Sequence, residues 1–298
     1  MLTVLIHGGL GNQMFQVFTA LATAIRNGDT CYFIHTMMDA SGKRATYWNS
    51  IFHNLRPMTV LSTTANVQRF MQLPEHKEPS FKYTPLPGKT AMNSTPVKLV
   101  GYFQSDKYFA DVQDQIYDKL QLLDQQRSIR DMFAENPWFS CGAVTVAMHF
   151  RIGDYAHIQD AHPILPLEHY RQALKHILDH VTNNNNNNNN NSKINVLIFN
   201  QACDNAVIRD HMRQLNADPE FAARCRFHKV PDMFDDWKQM LLMSVCDHNI
   251  IANSTFSWWG AYLNQNPDKI VCYPSTWFGP ALKKHDTRDL FPSNWVKI

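Results

Sequence analysis

An arginine and an aspartate lie close together in the motif H-F-R-I-G-D-Y, residues 149–155. The motif follows an apolar run, residues 142–148, which is typical of a buried strand. Arg151 can hold a phosphate group through two parallel hydrogen bonds, and either Asp154 or His149 can act as a base. An ordinary ion pair between the arginine and the aspartate would also explain the motif. Because open α/β sheets bind ligands at the carboxyl ends of their strands, the position of the motif favours an anion site.

A glycine-rich turn, G-G-L-G-N-Q at residues 8–13, connects the first predicted strand to a helix. Backbone N–H groups at a helix start suit an oxyanion or a sugar hydroxyl. The predicted ligand contacts are Gly9, Gly11, Asn12 and Gln13. Alternatively, the glycines only permit a tight turn. The turn does not read G-x-G-x-x-G, and no acidic residue follows the second predicted strand at the usual distance, which argues against a nicotinamide cofactor.

A third polar motif, N-S-T-F-S at residues 253–257, follows a short apolar run and opens a predicted helix. Its hydroxyl and N–H groups could bind a diphosphate. Helix capping by Ser254 or Thr255 would account for the same residues without any ligand. The predicted ligand contacts are Asn253, Ser254, Thr255 and Ser257.

Alternating strands and helices must position these motifs. The predicted strands are 3–6, 31–34, 97–103, 142–148, 194–199, 248–252 and 269–273, and the predicted helices include 14–27, 166–181, 205–215, 236–247 and 256–264. The alternation predicts an α/β fold of two Rossmann-like, doubly wound domains, residues 1–138 and 139–298, which face each other across a cleft. Residues 40–96 lack clear periodicity and are interpreted as loops and short elements.

Composition restricts the class of partner. The 298 residues contain 28 Lys and Arg against 26 Asp and Glu, so no basic surface for nucleic acid is expected. No apolar run approaches the ~18 residues of a membrane span, and the N-terminus does not resemble a signal peptide. Six cysteines without C-x-x-C spacing are interpreted as reduced, buried thiols. We therefore expect a cytoplasmic protein that binds a small molecule and does not insert into membranes.

Two further features of the sequence are not assigned a function. His176 and His180 have the i, i+4 spacing of helical metal ligands, but no H-E-x-x-H frame and no third ligand accompany them, so no metal site is predicted. Nine consecutive asparagines, residues 183–191, predict a flexible loop between a helix and a strand, because they bury no apolar surface that would offset the entropy of ordering.

Four motifs taken together resemble those of the α-1,2-fucosyltransferases of glycosyltransferase family 11. They are G-G-L-G-N-Q-M-F-Q (8–16), G-Y-F-Q-S-D-K-Y-F (101–109), H-F-R-I-G-D-Y (149–155) and H-N-I-I-A-N-S-T-F-S-W-W-G-A-Y-L-N (248–264). Their order and spacing cover most of the chain.

The resemblance implies a GT-B fold, GDP-L-fucose as the donor substrate, a galactose-terminated glycan as the acceptor, inversion at the anomeric carbon, and neither metal nor cofactor. It implies that Arg151 contacts the donor diphosphate. The other predicted ligand contacts are assigned to the same donor: Gly9, Gly11, Asn12, Gln13, Asn253, Ser254, Thr255 and Ser257. Residues 1–138 would form the acceptor side and residues 139–298 the GDP-fucose side. The chain has no D-x-D motif, which usually marks metal-using glycosyltransferases, so Arg151 and helix dipoles would have to neutralise the diphosphate.

The chain departs from the family pattern at two places. Ile152 stands where the family usually has a second arginine, and residues 200–202 read N-Q-A where Ser-Asp-Asp is common. Two other functions therefore stay open. The chain could be another GDP-fucose-dependent transferase, such as a protein O-fucosyltransferase, or a catalytically silent sugar-binding protein of the same fold.

Overall fold

The computed structural model describes residues 1–88, 96–139, 143–184 and 193–298, and these residues form two compact units. Unit 1 comprises Met1–Gln125 and Lys284–Ser293, and unit 2 comprises Gln126–Lys283 and Asn294–Ile298. Both are α/β units, and all ladders between their described strands are parallel.

Unit 1 contains five short strands. They are β1 (Leu2–Val4), β2 (Phe33–His35), β3 (Thr59–Leu61), β4 (Glu75–Lys77) and β5 (Val97–Val100). One sheet has the order β1-β5-β4, β2 pairs with β3, and a single bridge from Leu2 to Cys31 connects the two. The strand order is therefore β3-β2-β1-β5-β4, and the winding of the chain reverses between the parallel strands β1 and β5.

Helices of unit 1 cover this sheet. They are α1 (Leu10–Asn27), α2 (Thr64–Met71) and α3 (Gln113–Leu120), while α4 (Leu122–Met132) begins in unit 1 and ends in unit 2. Helix α1 is buried along most of its length, because small and apolar residues face the sheet. It ends at Asn27 and is capped by Gly28, whose left-handed φ of 57° lets its N–H donate to the carbonyls of Ala24 and Ile25.

Unit 2 contains a six-stranded sheet. Its strands are β6 (Thr145–His149), β7 (Ile194–Phe199), β8 (Cys225–Lys229), β9 (His248–Ile250), β10 (Val271–Tyr273) and β11 (Val296–Lys297). The order β8-β7-β6-β9-β10-β11 is that of a doubly wound Rossmann sheet, in which the winding reverses between β6 and β9. Both β6 and β7 are buried throughout, as central parallel strands with helices on both faces must be.

The helices of unit 2 are α5 (Leu167–Asn184), α6 (Asn205–Ala217), α7 (Pro219–Arg224), α8 (Asp236–Ser244) and α9 (Thr255–Tyr262). Helices α8 and α9 approach closely at Gly260, where an added Cβ would lie 2.8 Å from the Cβ of Met243. Trp258 and Trp259 of α9 are fully buried, as their position on an apolar helix suggests.

The boundary between the two units differs from the predicted boundary after residue 138. Unit 2 begins at Gln126. Gln126 on α4 donates hydrogen bonds to the Ser244 hydroxyl (2.7 Å) and the Leu263 carbonyl (2.8 Å), and the Phe133 ring stacks on Trp138. These contacts bring residues 126–138 into unit 2. Residues 284–293 return to unit 1, where Asp289 pairs with Lys107 and His285 lies against Phe81. A contiguous division could not include this return.

Other sequence expectations also change. Helix α1 begins at Leu10 rather than at residue 14, and the region 40–96 contains β3, α2 and β4, which the sequence did not reveal. Strand β8 was missed as well. Asn183 and Asn184 belong to α5 rather than to a loop, and residues 185–191 of the asparagine run lie outside the described residues. Of the five described cysteines, all free thiols, Cys203 is exposed and not buried as expected.

Candidate functional site

Residues 149–155 lie at the carboxyl end of β6, beside the point where the winding of unit 2 reverses. His149 ends the strand, and the Phe150 N–H donates to the Phe199 carbonyl at 2.8 Å, which aligns the following loop with β7. The Arg151 guanidinium lies 2.8 Å from an Asp154 carboxylate oxygen and 5.3 Å above the centre of the Tyr155 ring. The ion pair considered from sequence therefore forms.

Arg151 keeps donor capacity beyond this pair. Its side chain is 18% exposed, and its Nε is buried without a hydrogen-bond partner among the described residues. A buried, unsatisfied N–H group is costly unless a ligand or water accepts from it. The ion pair with Asp154 thus does not occupy every N–H donor of the guanidinium, and the remaining donor fits contact with an anion.

A carboxylate far along the chain holds the Arg151 loop in place. Both oxygens of Asp204 accept from the Gly153 N–H, at 3.0 and 3.1 Å. An added Cβ at Gly153 would lie 2.0 Å from the Gln201 side-chain oxygen. The glycine therefore lets the loop after β6 approach the loop after β7. Sequence reasoning missed Asp204, because only the pairing of β6 with β7 places it opposite the glycine.

The N-S-T-F-S motif, residues 253–257, lies across the same crevice, between β9 and α9. Ser254 is the N-cap of α9 and its hydroxyl accepts from the Phe256 N–H at 3.3 Å, so the capping interpretation holds for this residue. The Asn253 side chain donates to the carbonyls of Pro163 and Trp277, and the buried Ser257 hydroxyl donates to Ala252. These last two side chains hold the loops in place through their donor groups.

Tyr155 connects the two motifs. Its hydroxyl donates to the Asn253 carbonyl at 2.9 Å. Burial raises the pKa of Tyr155 to about 12, although the charge of Arg151 and a side-chain contact with Ser254 act in the opposite direction. Arg151, Tyr155 and Ser254 thus come together around one neutral hydroxyl. The structure brings the two predicted motifs together, and sequence reasoning had not singled out the tyrosine that connects them.

Replacing Tyr155 with phenylalanine should weaken this connection. The variant removes one buried hydrogen bond and leaves the Asn253 carbonyl without its donor, so the free energy of unfolding should fall by about 1–2 kcal/mol. Urea denaturation of the variant, compared with Tyr32→Phe at an exposed tyrosine of unit 1, measures the effect. Equal stability of the two variants would contradict the assigned contact.

His149 does not have the environment of an exchangeable base. Its ring is buried 5.3 Å from the Phe256 ring, and its Nδ1 has no hydrogen-bond partner among the described residues. Burial, with the nearby charge of Arg151, lowers the pKa of His149 to about 3. A positive charge is therefore disfavoured on this ring, and its catalytic role stays a prediction.

The glycine-rich turn of unit 1 has a different electrostatic character. Gly8 has a φ of 87° and Gly9 caps α1, as expected for a strand-to-helix turn. The Gly8 N–H, however, donates to the Asp39 carboxylate at 2.8 Å. Gln13 is buried, and its amide donates to the carbonyls of Gly8 (2.8 Å) and Ala45 (2.7 Å).

Asp39 is an acidic residue that the sequence reasoning did not recognise. It follows β2, and besides Gly8 it accepts from the Ser41 hydroxyl and from the backbone N–H groups of Lys43 and Arg44. Burial alone would raise the pKa of this carboxyl, but these donors outweigh it and lower the pKa to about 2. A fixed negative charge therefore lies at the turn, and it disfavours a phosphate there. The assignment of Gly9, Gly11, Asn12 and Gln13 to the donor stays a prediction.

The two departures from the family pattern have local explanations. Ile152 packs against the hydrophobic core of unit 2, so its side chain substitutes apolar contact for a cation. The Asn200 amide donates to the Gln201 carbonyl (2.7 Å) and to the Asn205 side chain (2.8 Å), which shapes the loop after β7. Neither residue adds a charge to the site.

Within the described ranges, no group of three or more His, Cys, Asp or Glu side chains could hold a metal ion. None of the helices in these ranges is both long and apolar enough to cross a membrane. The absence of a metal requirement stays a prediction.

The sequence description of glycosyl transferase family 11 matches residues 1–298, the whole of this chain. The protein belongs to glycosyl transferase family 11. The family resemblance predicted from the four motifs is therefore confirmed.

This family 11 protein is similar to the O-antigen biosynthesis glycosyltransferase WbnK of Escherichia coli, with 29% identity over 212 residues that span 67% of this chain and 60% of WbnK. It is also similar to an alpha-1,2-colitosyltransferase of E. coli, with 21% identity over 98% of this chain and 97% of the relative.

Solved structures establish the fold of this family 11 protein. An Arabidopsis thaliana FUT1 variant in complex with GDP superimposes with a TM-score of 0.54 at 11% identity, over 98% of this chain and 74% of that one. A family 9 glycosyl transferase from Veillonella parvula superimposes with a TM-score of 0.50 at 8% identity, over 100% of this chain and 86% of that one. The protein has a GT-B type fold with two Rossmann-like units, as predicted.

Proposed function

We propose that this family 11 protein transfers L-fucose from GDP-L-fucose to the 2-hydroxyl of a galactoside, with inversion at the anomeric carbon. The observation that carries the proposal is the meeting of Arg151 and the start of α9 at the reversal point of the unit 2 sheet, around the Tyr155 hydroxyl. A cation and a helix N-terminus at such a point suit a diphosphate. The family relationship and the GDP complex of the structurally similar FUT1 support the choice of nucleotide.

In the proposed reaction, the bond between the fucose anomeric carbon and the donor phosphate oxygen breaks, and its electron pair stays on the phosphate of GDP. The acceptor oxygen forms the new bond from the opposite face of the sugar and loses its proton. Negative charge grows on the leaving diphosphate, where the Arg151 fork and the N–H groups near Ser254 and Thr255 stabilise it. Groups already in place need no reorganisation as the charge develops, which is the main source of such stabilisation.

We assign the diphosphate to unit 2, where Arg151 supplies positive charge. The glycine-rich turn of unit 1, with the ionised Asp39, suits neutral hydroxyl groups better than phosphate. We therefore assign Asn12 and the adjacent turn to sugar hydroxyls.

Purified protein incubated with GDP-L-fucose and a panel of galactosides, with EDTA present, tests this proposal. We expect a product heavier than the acceptor by one fucosyl residue, and linkage analysis should find the fucose on O2 of galactose. Loss of activity in EDTA that a divalent ion restores would refute metal independence alone.

Three other outcomes identify different functions. Since one relative is a colitosyltransferase, a donor carrying colitose should be tested in parallel, and a strong preference for it would replace fucose in the proposal. Transfer to a folded peptide domain but not to galactosides would favour a protein O-fucosyltransferase. Binding of GDP-fucose without transfer or hydrolysis would indicate a catalytically silent protein.

A further inference from the structure

The loop after β5 in unit 1 has a strained backbone. Phe103 is buried and has a φ of 53°, in the left-handed region that a bulky residue rarely adopts. One oxygen of the Glu78 carboxylate accepts from the N–H groups of Tyr102 (2.8 Å) and Phe103 (3.0 Å), which holds the turn. A strained conformation of this kind persists only where the surrounding contacts determine it, and such conformations cluster at ligand sites.

Gly101 makes room for this arrangement. An added Cβ at this position would lie 2.4 Å from the Cβ of Glu78, so a side chain here would displace the carboxylate that holds the turn. The Gly101 carbonyl also accepts from the amide of Gln16, a buried residue of α1, at 3.2 Å. The loop after β5 is therefore fixed both by the residue that follows β4 and by a buried side chain of α1.

The strained turn directs the Gln104 side chain towards the start of α1. Its Nε2 donates to the Asn12 side-chain oxygen at 3.0 Å, although the two residues are 92 positions apart in sequence. Gln104 is only 7% exposed, and its Oε1 is buried without a hydrogen-bond partner among the described residues. A buried carbonyl oxygen without a donor costs free energy unless a ligand or water supplies one. The amide therefore keeps an acceptor for a hydroxyl group.

Tyr102 and Gln104 lie at the reversal point of the unit 1 sheet. In the order β3-β2-β1-β5-β4 this point lies between β1 and β5, and open α/β sheets bind ligands at the carboxyl ends of the strands there. Tyr102 follows β5 and is 37% exposed, and its ring centroid is 5.7 Å from that of His7, which comes soon after β1. An exposed aromatic face and a buried amide oxygen thus belong to one loop, beside the ends of both strands.

We propose that Tyr102 and Gln104 form the subsite for the galactose ring of the acceptor, with the Tyr102 ring against the apolar face of the sugar and the Gln104 Oε1 accepting from a sugar hydroxyl. The inference rests on the proposed function and assigns it substrate contacts within unit 1 alone. The axial 4-hydroxyl of galactose leaves a patch of C–H groups on one face of its ring, against which an aromatic ring can pack. An amide oxygen has two lone pairs and accepts from a neutral hydroxyl without any change in charge.

The charges around this loop favour a neutral ligand. The Asp39 carboxylate, whose pKa is lowered to about 2, accepts from the Gly8 N–H at the turn that precedes Asn12. Burial, followed by the charge of Asp39, raises the pKa of Tyr102, so the phenol stays neutral. A phosphate at this loop would meet the fixed negative charge of Asp39, whereas a sugar hydroxyl carries no charge. A neutral sugar is therefore the ligand that fits.

Lactose binding tests the inference by saturation-transfer NMR and calorimetry, with GDP present to fill the donor site. The wild-type protein should bind lactose, and Tyr102→Ala should lower the affinity by about tenfold or more, because the aromatic surface is lost. Cellobiose should bind much more weakly than lactose, since the equatorial 4-hydroxyl of its terminal glucose interrupts the patch of C–H groups. Affinity for GDP should not change in the variant, because the diphosphate is assigned to unit 2.

Tyr32→Ala is the matched control. Tyr32 is a tyrosine of unit 1 with nearly the same exposure, 38%, but it precedes β2 and so lies at the amino edge of the parallel strands. The control should bind lactose as the wild type does. An equal loss of lactose affinity in Tyr32→Ala and Tyr102→Ala would contradict a specific contact at Tyr102.

Gln104→Met separates hydrogen bonding from shape. Methionine keeps the length of the side chain and removes the amide, so the KM for lactose in fucosyl transfer should rise by about fivefold, with a smaller change in kcat. Unchanged GDP affinity shows that the variant is folded, and should it fail to fold, Tyr102→Ala at its exposed position still decides.

The outcomes separate the subsite from the proposed function. Unchanged lactose affinity in either folded variant, cellobiose binding as tight as that of lactose, or absence of lactose binding by the wild type would overturn the inference. A loss of GDP affinity in place of lactose affinity would overturn it as well. Lactose binding that depends on Tyr102 and Gln104 in a protein that transfers no fucose would refute the proposed function and leave the galactose subsite in place.

Discussion

Arg151→Ala should lower kcat for fucosyl transfer by about a hundredfold or more. Loss of one preorganised donor to a developing oxyanion costs on the order of 3 kcal/mol in the barrier. We expect the full loss here, because among the described residues Arg151 is the cation held beside the start of α9. Single-turnover kinetics with GDP-fucose measure the chemical step directly.

The lysine variant distinguishes charge from geometry. Arg151→Lys keeps the positive charge and can still pair with Asp154, but it cannot supply two parallel donors to a phosphate. We expect a smaller but distinct loss in kcat, with weaker binding of GDP in both variants. If Arg151→Lys matched the wild type, the charge alone would suffice and the bidentate contact would be wrong.

Arg224→Ala is the matched control. Arg224 is also a half-buried arginine of unit 2, and it pairs with Glu220 at 3.1 Å and donates to the Leu178 carbonyl. It precedes β8, at the amino edge of the sheet and away from the carboxyl ends where the site lies. Its replacement can cost stability, but it should not change the rate of transfer. A similar loss of rate in both variants would indicate a general effect of structural damage.

The parts of the site that follow strands were predictable from the sequence. Apolar runs identified β6 and β9, and parallel pairing then requires that the residues after them lie at one edge of the sheet. The residue pattern alone was therefore enough to place Arg151 and Ser254 each after a strand, at that edge of the sheet. Local chemistry also limited the N-cap of α9 to Ser254 or Thr255, since a hydroxyl residue before an apolar helix is a local signal, and the structure shows Ser254.

The parts that depend on distant residues were not predictable. Asp204 reaches Gly153 across 51 positions of sequence and Asp39 reaches Gly8 across 31. No short-range sequence pattern marks a carboxylate that accepts hydrogen bonds from distant backbone N–H groups. The pairing becomes apparent only when the positions of both loops in the fold are known. The short strands β3 and β4 were missed for a related reason, since three partly exposed residues provide too little periodicity.

Asp39→Asn should destabilise unit 1 by about 2 kcal/mol at neutral pH. The carboxyl has a pKa of about 2 in the folded protein, against an ordinary value of 3.8. A difference of one in the pKa corresponds to about 1.4 kcal/mol of stability. Because the folded pKa is depressed, the stabilisation is fully present above about pH 5 and is lost as the pH falls through about 4 towards 2. An asparagine carries no charge and adds N–H donors where Gly8, Lys43 and Arg44 already supply theirs.

The pH dependence provides the sharper test. Wild-type unit 1 should lose stability between about pH 5 and pH 2, and Asp39→Asn should lose correspondingly less over the same interval because it starts without the contribution. Hydrogen exchange of the Gly8, Lys43 and Arg44 amides reports this locally, whereas urea denaturation reports the whole chain. Asp118→Asn, at an exposed position on α3, is the control and should change stability by less than about 0.5 kcal/mol. If the Asp39 variant followed the wild-type curve in parallel at every pH, the carboxylate would not be the charged acceptor that holds the turn.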